Sequence, residues 1–600
     1  MVKMLKIKAF EELNSYYLHI CDINNSFMVR KDLYDKLCER NEISSNELLD
    51  LLSDICSDRI AYYEHILEGF EKIDLDTEVT ESSVSNFTIC LHPVRKCNLR
   101  CRYCFGSEEY LPKQELDIAV AKKAIEYFVY DYAKDAKMYT IDLAGSGEPL
   151  LRFEFIKELE AYCRSLRNKI GKKIIISFPT NATLLEAKHI DYFSNHGDIL
   201  YGISLDGNKP ENRWRVYPNG KECFEDTMRG IKITENPHCG FAVTLTHQNE
   251  NVDEVYDYLY SLNKGDAISM HPVRDFSDGD TSFFNIDIDN LIMHYRQLVH
   301  NFINKMKEQN FDYVKPLLNG DDIFGGYIKQ AFGKGTISKY RCDAGRNRFA
   351  VNEEGNIYAC SVMNGEDYFR VGNLDQGISE QLQAKFSLCS ITANNDCKKC
   401  WASSICTGEC MAISYLNSGK LYTANKFFCT IRRELAKLAI AFVEYIKTYD
   451  ERGYSELRSF LLQCNYYMQT DPAVWIIIKY LAYHGYSVEY KDIIMMLDQY
   501  EEKNNIIGVS ISTVEKLISR YIKDVCAVAI EKSEDLSAVK EPIIGCLINN
   551  NCYDYYWVEC DENGKLRVET MYSTEKRYFL NDNLIKMGFN LFIGPFSNCV

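Results

Sequence analysis

The sequence predicts an α/β protein centred on a partial (β/α)6 barrel of the TIM type, and two observations predict it. Six strand-like runs, Phe87 to Leu91, Tyr139 to Ala144, Lys173 to Phe178, Ile199 to Leu205, Phe241 to Thr246 and Ala267 to His271, are separated by helix-length intervals. That alternation is the signature of parallel βα units, whose loops at the carboxyl ends of the strands carry the site. Cysteines cluster at one such end, because Cys97, Cys101 and Cys104 directly follow the first run.

The other elements follow in chain order. Residues 1–80 read as a winged-helix-like α+β module, with strands at Tyr16 to Ile20 and Phe27 to Val29, a turn at Asn24-Asn25, and helical periodicity at Leu33, Leu37, Leu48, Leu51, Leu52 and Ile55. A polar joint at Ser82 to Asn86 leads into the barrel, residues 86–275. Residues 276–341 form a helical bridge with Leu291, Tyr295, Leu298 and Phe302 on one stripe, and residues 342–430 are turn-rich and dense in cysteine. Residues 431–600 are an α+β extension: helices at Arg432 to Tyr449 and Ser455 to Met468, more helix up to Val528, then strand-like sequence from Pro542 to Val600.

Composition narrows the function classes. The chain has 600 residues, about four domains at ~150 residues each, and 46% hydrophobic with 26% charged residues is ordinary globular usage. A net charge of −17 without a basic patch argues against nucleic acid or an anionic membrane as partner. No apolar run approaches the roughly 18 residues of a spanning helix. Met1 to Phe10 alternates lysine with apolar residues and lacks the core of a signal peptide. A cytoplasmic location is expected, where reducing conditions turn the 24 cysteines into candidate metal ligands.

Cys97, Cys101 and Cys104 stand as C-NLR-C-RY-C. Three thiolates satisfy three irons of a four-iron cluster and leave one open for a substrate or cofactor, whereas a closed site takes four protein ligands. The motif resembles the cluster motif of the radical S-adenosylmethionine (SAM) superfamily. Tyr103 matches that family's adenine-contacting position. Gly145-Ser146-Gly147-Glu148-Pro149, after the second strand, is similar to the family's GGEP motif, with Ser146 in place of a glycine. Ser177, Thr180, Asn181 and Ala182 resemble its TNG-type element, with Ala182 departing from glycine. Ser204, Leu205, Asp206 and Gly207 follow at the fourth strand, with Arg215 before Asn219-Gly220. The resemblance covers residues 86–275 and implies SAM contacts from Tyr103, Ser146, Gly147, Glu148, Ser177, Asn181, Ser204, Asp206 and Arg215. It also implies a 5′-deoxyadenosyl radical that abstracts hydrogen from substrate, with no catalytic side chain beyond the cluster and SAM.

The second cysteine group runs Cys342, twelve residues, Gly355, four residues and Cys360, then Cys397-x2-Cys400-x5-Cys406-x3-Cys410, then Cys429. It resembles the seven-cysteine SPASM domain, which carries two auxiliary four-iron clusters, three clusters in all. The resemblance gives Cys397, Cys400, Cys406 and Cys429 to the distal cluster and Cys342, Cys360 and Cys410 to the proximal one. No cysteine lies between Cys239 and Cys342 to complete the proximal set, so an open iron there would suit a soft substrate thiolate, unless Asp343 or Cys389 closes it. Sulfatase-maturing relatives follow the cysteine matching Cys360 with an aspartate base, and here the residue is Ser361.

The N-terminal module resembles the PqqD-like peptide-recognition domain, with Asp22 before the turn and Leu33, Tyr34 and Leu37 opening the helix. An exposed hairpin edge can accept a leader peptide as an added strand. Past Cys429 the resemblance ends. No histidine follows His484, so Cys546, Cys552, Cys560 and Cys599 assemble no local Cys-His pair. Together these readings point to a peptide maturase that installs thioether (sulfur-to-carbon) crosslinks in a cysteine-rich ribosomally synthesised precursor with a leader, of the sactipeptide or ranthipeptide type. A reducing donor such as flavodoxin or ferredoxin would serve it. The alternatives are carbon-carbon crosslinking or side-chain oxidation by the same radical chemistry and, in another class, an iron-sulfur redox sensor with a degenerate SAM site.

Overall fold

The computed structural model describes residues 4–55, 86–104, 115–136, 138–170, 172–196, 198–234, 240–262, 267–273, 286–332, 342–387, 394–467, 472–484, 511–522, 526–529, 541–549, 552–560, 566–570, 573–579 and 591–594. The chain divides into two compact units, the first Met1–Lys134, Tyr139–Tyr162 and Ile174–Leu457, the second Asp135–Met138, Cys163–Lys173 and Arg458–Val600.

Four antiparallel strands open the first unit, β1 (Met4–Glu12), β2 (Ser15–Ile20), β3 (Asn25–Val29) and β4 (Glu42–Ser44), in the order β3-β2-β1-β4. Leu13 and Asn14 both take positive φ, 48° and 55°, as a two-residue hairpin loop requires if it is to match the strand twist. Ile7 pairs with Ile20, Leu18 with Phe27 and Leu5 with Ile43. These residues are buried with Leu37 of α1 (Lys31–Leu37) and Leu48 of α2 (Ser45–Ile55). Strands β2 and β3 lie where the sequence predicts strands, and β1 is an addition at the centre of the sheet. Its alternation of Lys6 and Lys8 with buried Leu5, Ile7 and Ala9 is the period-2 pattern of a strand with one covered face. The remainder of the expected module, residues 56–80, lies outside the described residues.

The barrel strands are β5 (Asn86–Leu91), β6 (Met138–Asp142), β7 (Lys173–Thr180), β8 (Ile199–Ser204), β9 (Gly240–Leu245) and β10 (Ile268–Pro272), side by side in sequence order and where the sequence predicts them. β7 to β10 pair in parallel, with Ile176 opposite Ile199 and Ile203 opposite Phe241. Between strands run α3 (Ile118–Glu126), α4 (Phe153–Ile170), α5 (Ala187–Ser194), α6 (Phe224–Ile233) and α7 (Val252–Ser261). Asp117 caps α3, accepting from Ala119 N, and the helix buries Ala121, Ala124 and Ile125, the i, i+3, i+4 face of an amphipathic helix.

The sheet continues beyond β5. β11 (Arg348–Val351) joins β5 in parallel register, Phe349 opposite Ile89, and β12 (Asn356–Tyr358), β13 (Arg370–Asn373) and β14 (Gly377–Ile378) extend it antiparallel. The cysteine-dense segment is therefore built onto the barrel sheet itself. Among the helices, α8 (Ile288–Lys307) packs on α7, α9 (Ile323–Phe332) packs on β10 and on the short helix Ser403–Cys406, and α10 (Lys426–Tyr449) packs on both α8 and α9. Asp287 and Asn425 cap α8 and α10 by accepting two backbone amides each. The stripe of Leu291, Tyr295, Leu298 and Phe302 on α8 is buried.

In the second unit, α11 (Pro472–Tyr483) and α12 (Ile511–Ile518) accompany the strands β15 (Cys526–Ala529), β16 (Ile543–Asn549), β17 (Cys552–Cys560), β18 (Leu566–Thr570), β19 (Ser573–Phe579) and β20 (Leu591–Gly594). They form an antiparallel sheet ordered β15-β20-β16-β17-β18-β19. α11 packs on β17, where Tyr480 and Tyr483 stand 6.1 and 5.7 Å from the buried Trp557 ring. Helix is expected up to Val528, but Cys526–Ala529 is a strand because Leu591–Gly594 supplies its ladder partner, a long-range pairing that overrides a short apolar run's ambiguity. Cys599 lies outside the described residues. Among the described residues no helix is long and apolar enough to cross a membrane.

His19 of β2 is fully buried between Ser26 Oγ at 2.9 Å and Ser404 Oγ at 3.0 Å, and burial lowers its pKa from 6.5 to about 3. The unfolded chain therefore binds the extra proton first, so this contribution to stability is complete above about pH 6.5 and is lost as pH falls below it. The Tm of the protein is expected to drop between pH 6.5 and 4 by more than that of His19→Asn. Parallel profiles would contradict the assignment.

Candidate functional site

The loop after β5 carries Cys97, Cys101 and Cys104, and three neighbouring segments hold its shape. Arg100 N and Arg102 N donate to Val216 O and Trp214 O at 2.6 and 3.0 Å, and Arg102 lies over the Trp214 ring. Cys104 N donates to Cys101 O at 3.0 Å, turning the last two cysteines back on each other. Glu148 N, in the loop after β6, donates to Lys96 O at 3.0 Å. Gly147 has φ +90°, and a Cβ there would collide with the Val94 carbonyl, so this position takes only glycine.

Glu148 ties that pair of loops to the next strand end. Its Oε1 accepts from Thr180 Oγ1 at 2.8 Å and Leu150 N at 3.1 Å, and its Oε2 accepts from Asn181 N at 2.9 Å. Burial at 2% exposure raises its pKa, and the three donors oppose that rise. Asn181 then reaches the thiol loop, its Nδ2 donating to Asn98 Oδ1 at 2.9 Å and approaching Cys97 Sγ at 3.8 Å. Asn98 Nδ2 in turn donates to Thr183 Oγ1 at 2.8 Å. Ala182 sits at φ +60°, so it takes the left-handed conformation for which glycine would be usual. Ser146 is 5% exposed and its Oγ lies 3.5 Å from His92 Nδ1. Ser177 sits on β7 with its carbonyl accepting from Leu143 N at 2.8 Å, and Ser204 ends β8.

Buried Asp206 and Arg215 form one group with the half-buried Tyr103. Arg215 Nε and Nη2 donate to Asp206 Oδ2 and Oδ1 at 2.9 and 3.0 Å, with side-chain exposures of 8% and 1%. The Tyr103 hydroxyl donates to the same carboxylate, Thr244 N donates to Oδ1 at 2.9 Å, and the guanidinium stands 5.6 Å from the Tyr103 ring centre. Both carboxylate oxygens of Asp206 are thereby engaged, so Asp206 acts by positioning Tyr103 and Arg215.

The seven later cysteines line two cavities. One, of about 420 Å³, is walled by Cys342, Cys360 and Cys410 with His271 and Pro272 from β10 and Thr88 from β5. The other, of about 320 Å³, is walled by Cys397, Cys400, Cys406 and Cys429 with Trp401 and with Lys6 and Ile7 of β1. Ser361, Asp343 and Arg348 also face the first cavity, and Cys389 lies outside the described residues. Burial pushes the thiols of Cys97 up to about 11 and of Cys360 and Cys397 up to about 12, and neighbouring cysteines of the same set add to each rise. Thiols grouped where ionisation is this costly suit an electron-deficient centre that binds them as thiolates.

All nine residues expected to contact SAM lie on these barrel strands or on the loops that follow them, the thiol loop among them. Sequence reasoning missed His92, Asn98 and Thr183. His92 is buried, its pKa lowered to about 4 by burial, and its ring blocks any side chain at position 145. Its only sequence signal is a polar residue ending an apolar strand.

Residues 91–259 match the Radical SAM superfamily. The serine-type anaerobic sulfatase-maturating enzyme of Klebsiella aerogenes is 24% identical over 341 residues, 54% of this chain and 80% of that enzyme. The radical SAM cyclopropyl synthase TigE of Paramaledivibacter caminithermalis is 21% identical over 473 residues, 74% of this chain and 94% of that enzyme. Among solved structures, native anSMEcpe with bound AdoMet superposes with a TM-score of 0.50 at 20% identity, covering 60% of this chain and 98% of that one, a likeness of fold. Domains of this superfamily bind SAM and a [4Fe-4S] cluster. Among the described residues no group of three or more His, Cys, Asp or Glu is close enough to hold one metal ion. A cubane carries its thiolates on its corners, farther apart than the shell of a single zinc. The three half-buried thiols of Cys97, Cys101 and Cys104, grouped on one loop, fit that donor set. This chain therefore carries a radical SAM domain, related in sequence to anaerobic sulfatase-maturating enzymes.

Proposed function

We propose that the protein is a radical SAM/SPASM peptide maturase that forms thioether crosslinks in a cysteine-rich precursor peptide. The observation that carries this reading is the 420 Å³ cavity, which three cysteines line together with residues of β5 and β10, the first and last barrel strands. No fourth cysteine lines it among the described residues.

In this reading Cys97, Cys101 and Cys104 hold the cluster that binds SAM, and the pair supplies a 5′-deoxyadenosyl radical able to take a hydrogen atom from a peptide carbon. Cys342, Cys360 and Cys410 would hold a proximal cluster, and with three protein thiolates it would supply a place for a peptide thiolate and for the electron released on bond formation. Tyr103, Ser146, Gly147, Glu148, Ser177, Asn181, Ser204, Asp206 and Arg215 shape the SAM site. Glu148 and Asp206 do so by holding loops, and Tyr103 and Arg215 present a ring and a charge beside the thiols. The peptide loses two hydrogens, one as an atom to the nucleoside and one as the thiol proton. Cys397, Cys400, Cys406 and Cys429 hold a distal cluster. The domain limits follow the same reading: residues 1–80 recognise the leader, residues 86–275 carry SAM, residues 276–341 are the helical bridge, residues 342–430 the SPASM domain and residues 431–600 an extension. A flavodoxin or ferredoxin supplies the electron in the cytoplasm.

A second reading, carbon-carbon bond formation, is favoured by the similarity to the cyclopropyl synthase over 74% of this chain. Against a sulfatase-type activity stands Ser361, which faces the proximal cavity where those relatives place an aspartate.

Gly147→Ala is expected to lower SAM affinity at least tenfold, because its Cβ forces the Val94 carbonyl away from the thiol loop. Equilibrium dialysis with labelled SAM measures it, and unchanged affinity would contradict the loop geometry. Anaerobic co-expression with a cysteine-rich precursor, followed by reduction, alkylation and intact mass, tests the reaction. The expected result is a loss of two hydrogens per crosslink with matching cysteines that no longer alkylate. The same mass loss with every cysteine alkylated would instead establish carbon-carbon linkage.

A further inference from the structure

One residue faces both auxiliary cavities. Arg432 lines the cavity of Cys342, Cys360 and Cys410 and also that of Cys397, Cys400, Cys406 and Cys429. It lies on α10 three residues after Cys429, hence on the same helix face. Its partner is Glu409, which directly precedes Cys410 and lines the second cavity. Arg432 Nη1 and Nη2 donate to Glu409 Oε2 and Oε1 at 3.0 and 2.6 Å, and the two side chains are 8% and 4% exposed. Glu409 Oε1 also accepts from Cys410 N at 2.8 Å. One bidentate pair therefore links the first turns of α10, which carry a cysteine of one set, to the backbone of a cysteine of the other.

Stability is a weak reason for such a pair, since apolar residues of similar volume often replace a buried ion pair at no cost. Its position supplies a better one. A fixed positive charge between two groups of thiolates favours the more reduced, more negative form of whatever those thiolates bind, on both sides together.

Resting on the reading that both sets hold iron-sulfur clusters, we propose that Arg432 is a positioning residue shared by the two auxiliary sites. Held by Glu409, it raises the reduction potential of both clusters at once. Glu409, as the opposing charge, limits that rise.

The test is an EPR-monitored redox titration of the full-length protein with Cys97, Cys101 and Cys104 replaced by alanine, so that only auxiliary signals remain. Arg432→Gln is expected to move both midpoint potentials negative, Glu409→Gln to move both positive, and Arg432→Lys to stay near the parent. Opposite signs at two paired positions separate an electrostatic role from loosened packing. If Arg432→Gln fails to fold or loses iron, Glu409→Gln and Arg432→Lys decide the matter. Intact iron content with neither potential moved, or only one, would overturn the proposal. Iron analysis of the unaltered protein separates the underlying reading: about twelve irons per chain support three clusters, whereas about four would remove the auxiliary clusters and the proposal with them.

Discussion

The buried carboxylate of Glu148 is the joint on which the site depends. Its two oxygens accept from Thr180, Leu150 and Asn181, its own amide is bound to Lys96 O, and Asn181 passes the constraint on to Asn98 and Cys97. Three strand ends are thus locked through one residue and its neighbour Asn181. Removing a partner from such a buried group leaves its desolvation cost uncompensated, about 1–3 kcal/mol and more when charged. Rigid loops of this kind let a site form on the ends of parallel strands without a dedicated scaffold around it.

A second constraint joins the later cysteines to the same frame. β11 continues the sheet from β5 in parallel register, so the strand that launches the first thiol loop also seats the cysteine-dense segment. Arg348 at the start of β11 pairs with Asp142 at the end of β6, and Arg95 near the thiol loop pairs with Glu353 at 2.6 Å, both side chains under 10% exposed. The first auxiliary cavity consequently opens on barrel strands, and its position is set by sheet pairing, not by a loose linker. The N-terminal sheet is held in a similar way, through His19 to Ser404 and Glu12 to Arg296 at 2.7 Å.

Much of this arrangement was legible in the sequence, because it rests on local patterns. The six barrel strands show as apolar runs at helix-length intervals, and the thiol loop and the Glu148 turn sit directly after them. The seven later cysteines separate by resemblance into sets of three and four, and these sets wall separate cavities. What was not legible depends on partners distant in the chain. The strand at Cys526–Ala529 exists through its pairing with Leu591–Gly594, and β1 gains its place at the centre of a sheet from neighbours on both sides. The substitution of glycine by Ala182 looked like a departure from the motif, yet the residue adopts φ +60° and keeps the turn. The Arg432–Glu409 pair, 23 positions apart, leaves no trace in spacing at all.

The central claim is that these loop ends bind SAM on a three-thiolate cluster and cleave it to start radical chemistry. The most direct measurement is release of 5′-deoxyadenosine from SAM by the anaerobically reconstituted, reduced protein. The account predicts release by the intact chain and none by a variant with Cys97, Cys101 and Cys104 changed to alanine. A fully iron-loaded protein that binds SAM and releases no 5′-deoxyadenosine under strong reductant would contradict it, and would leave an iron-sulfur sensor as the better description.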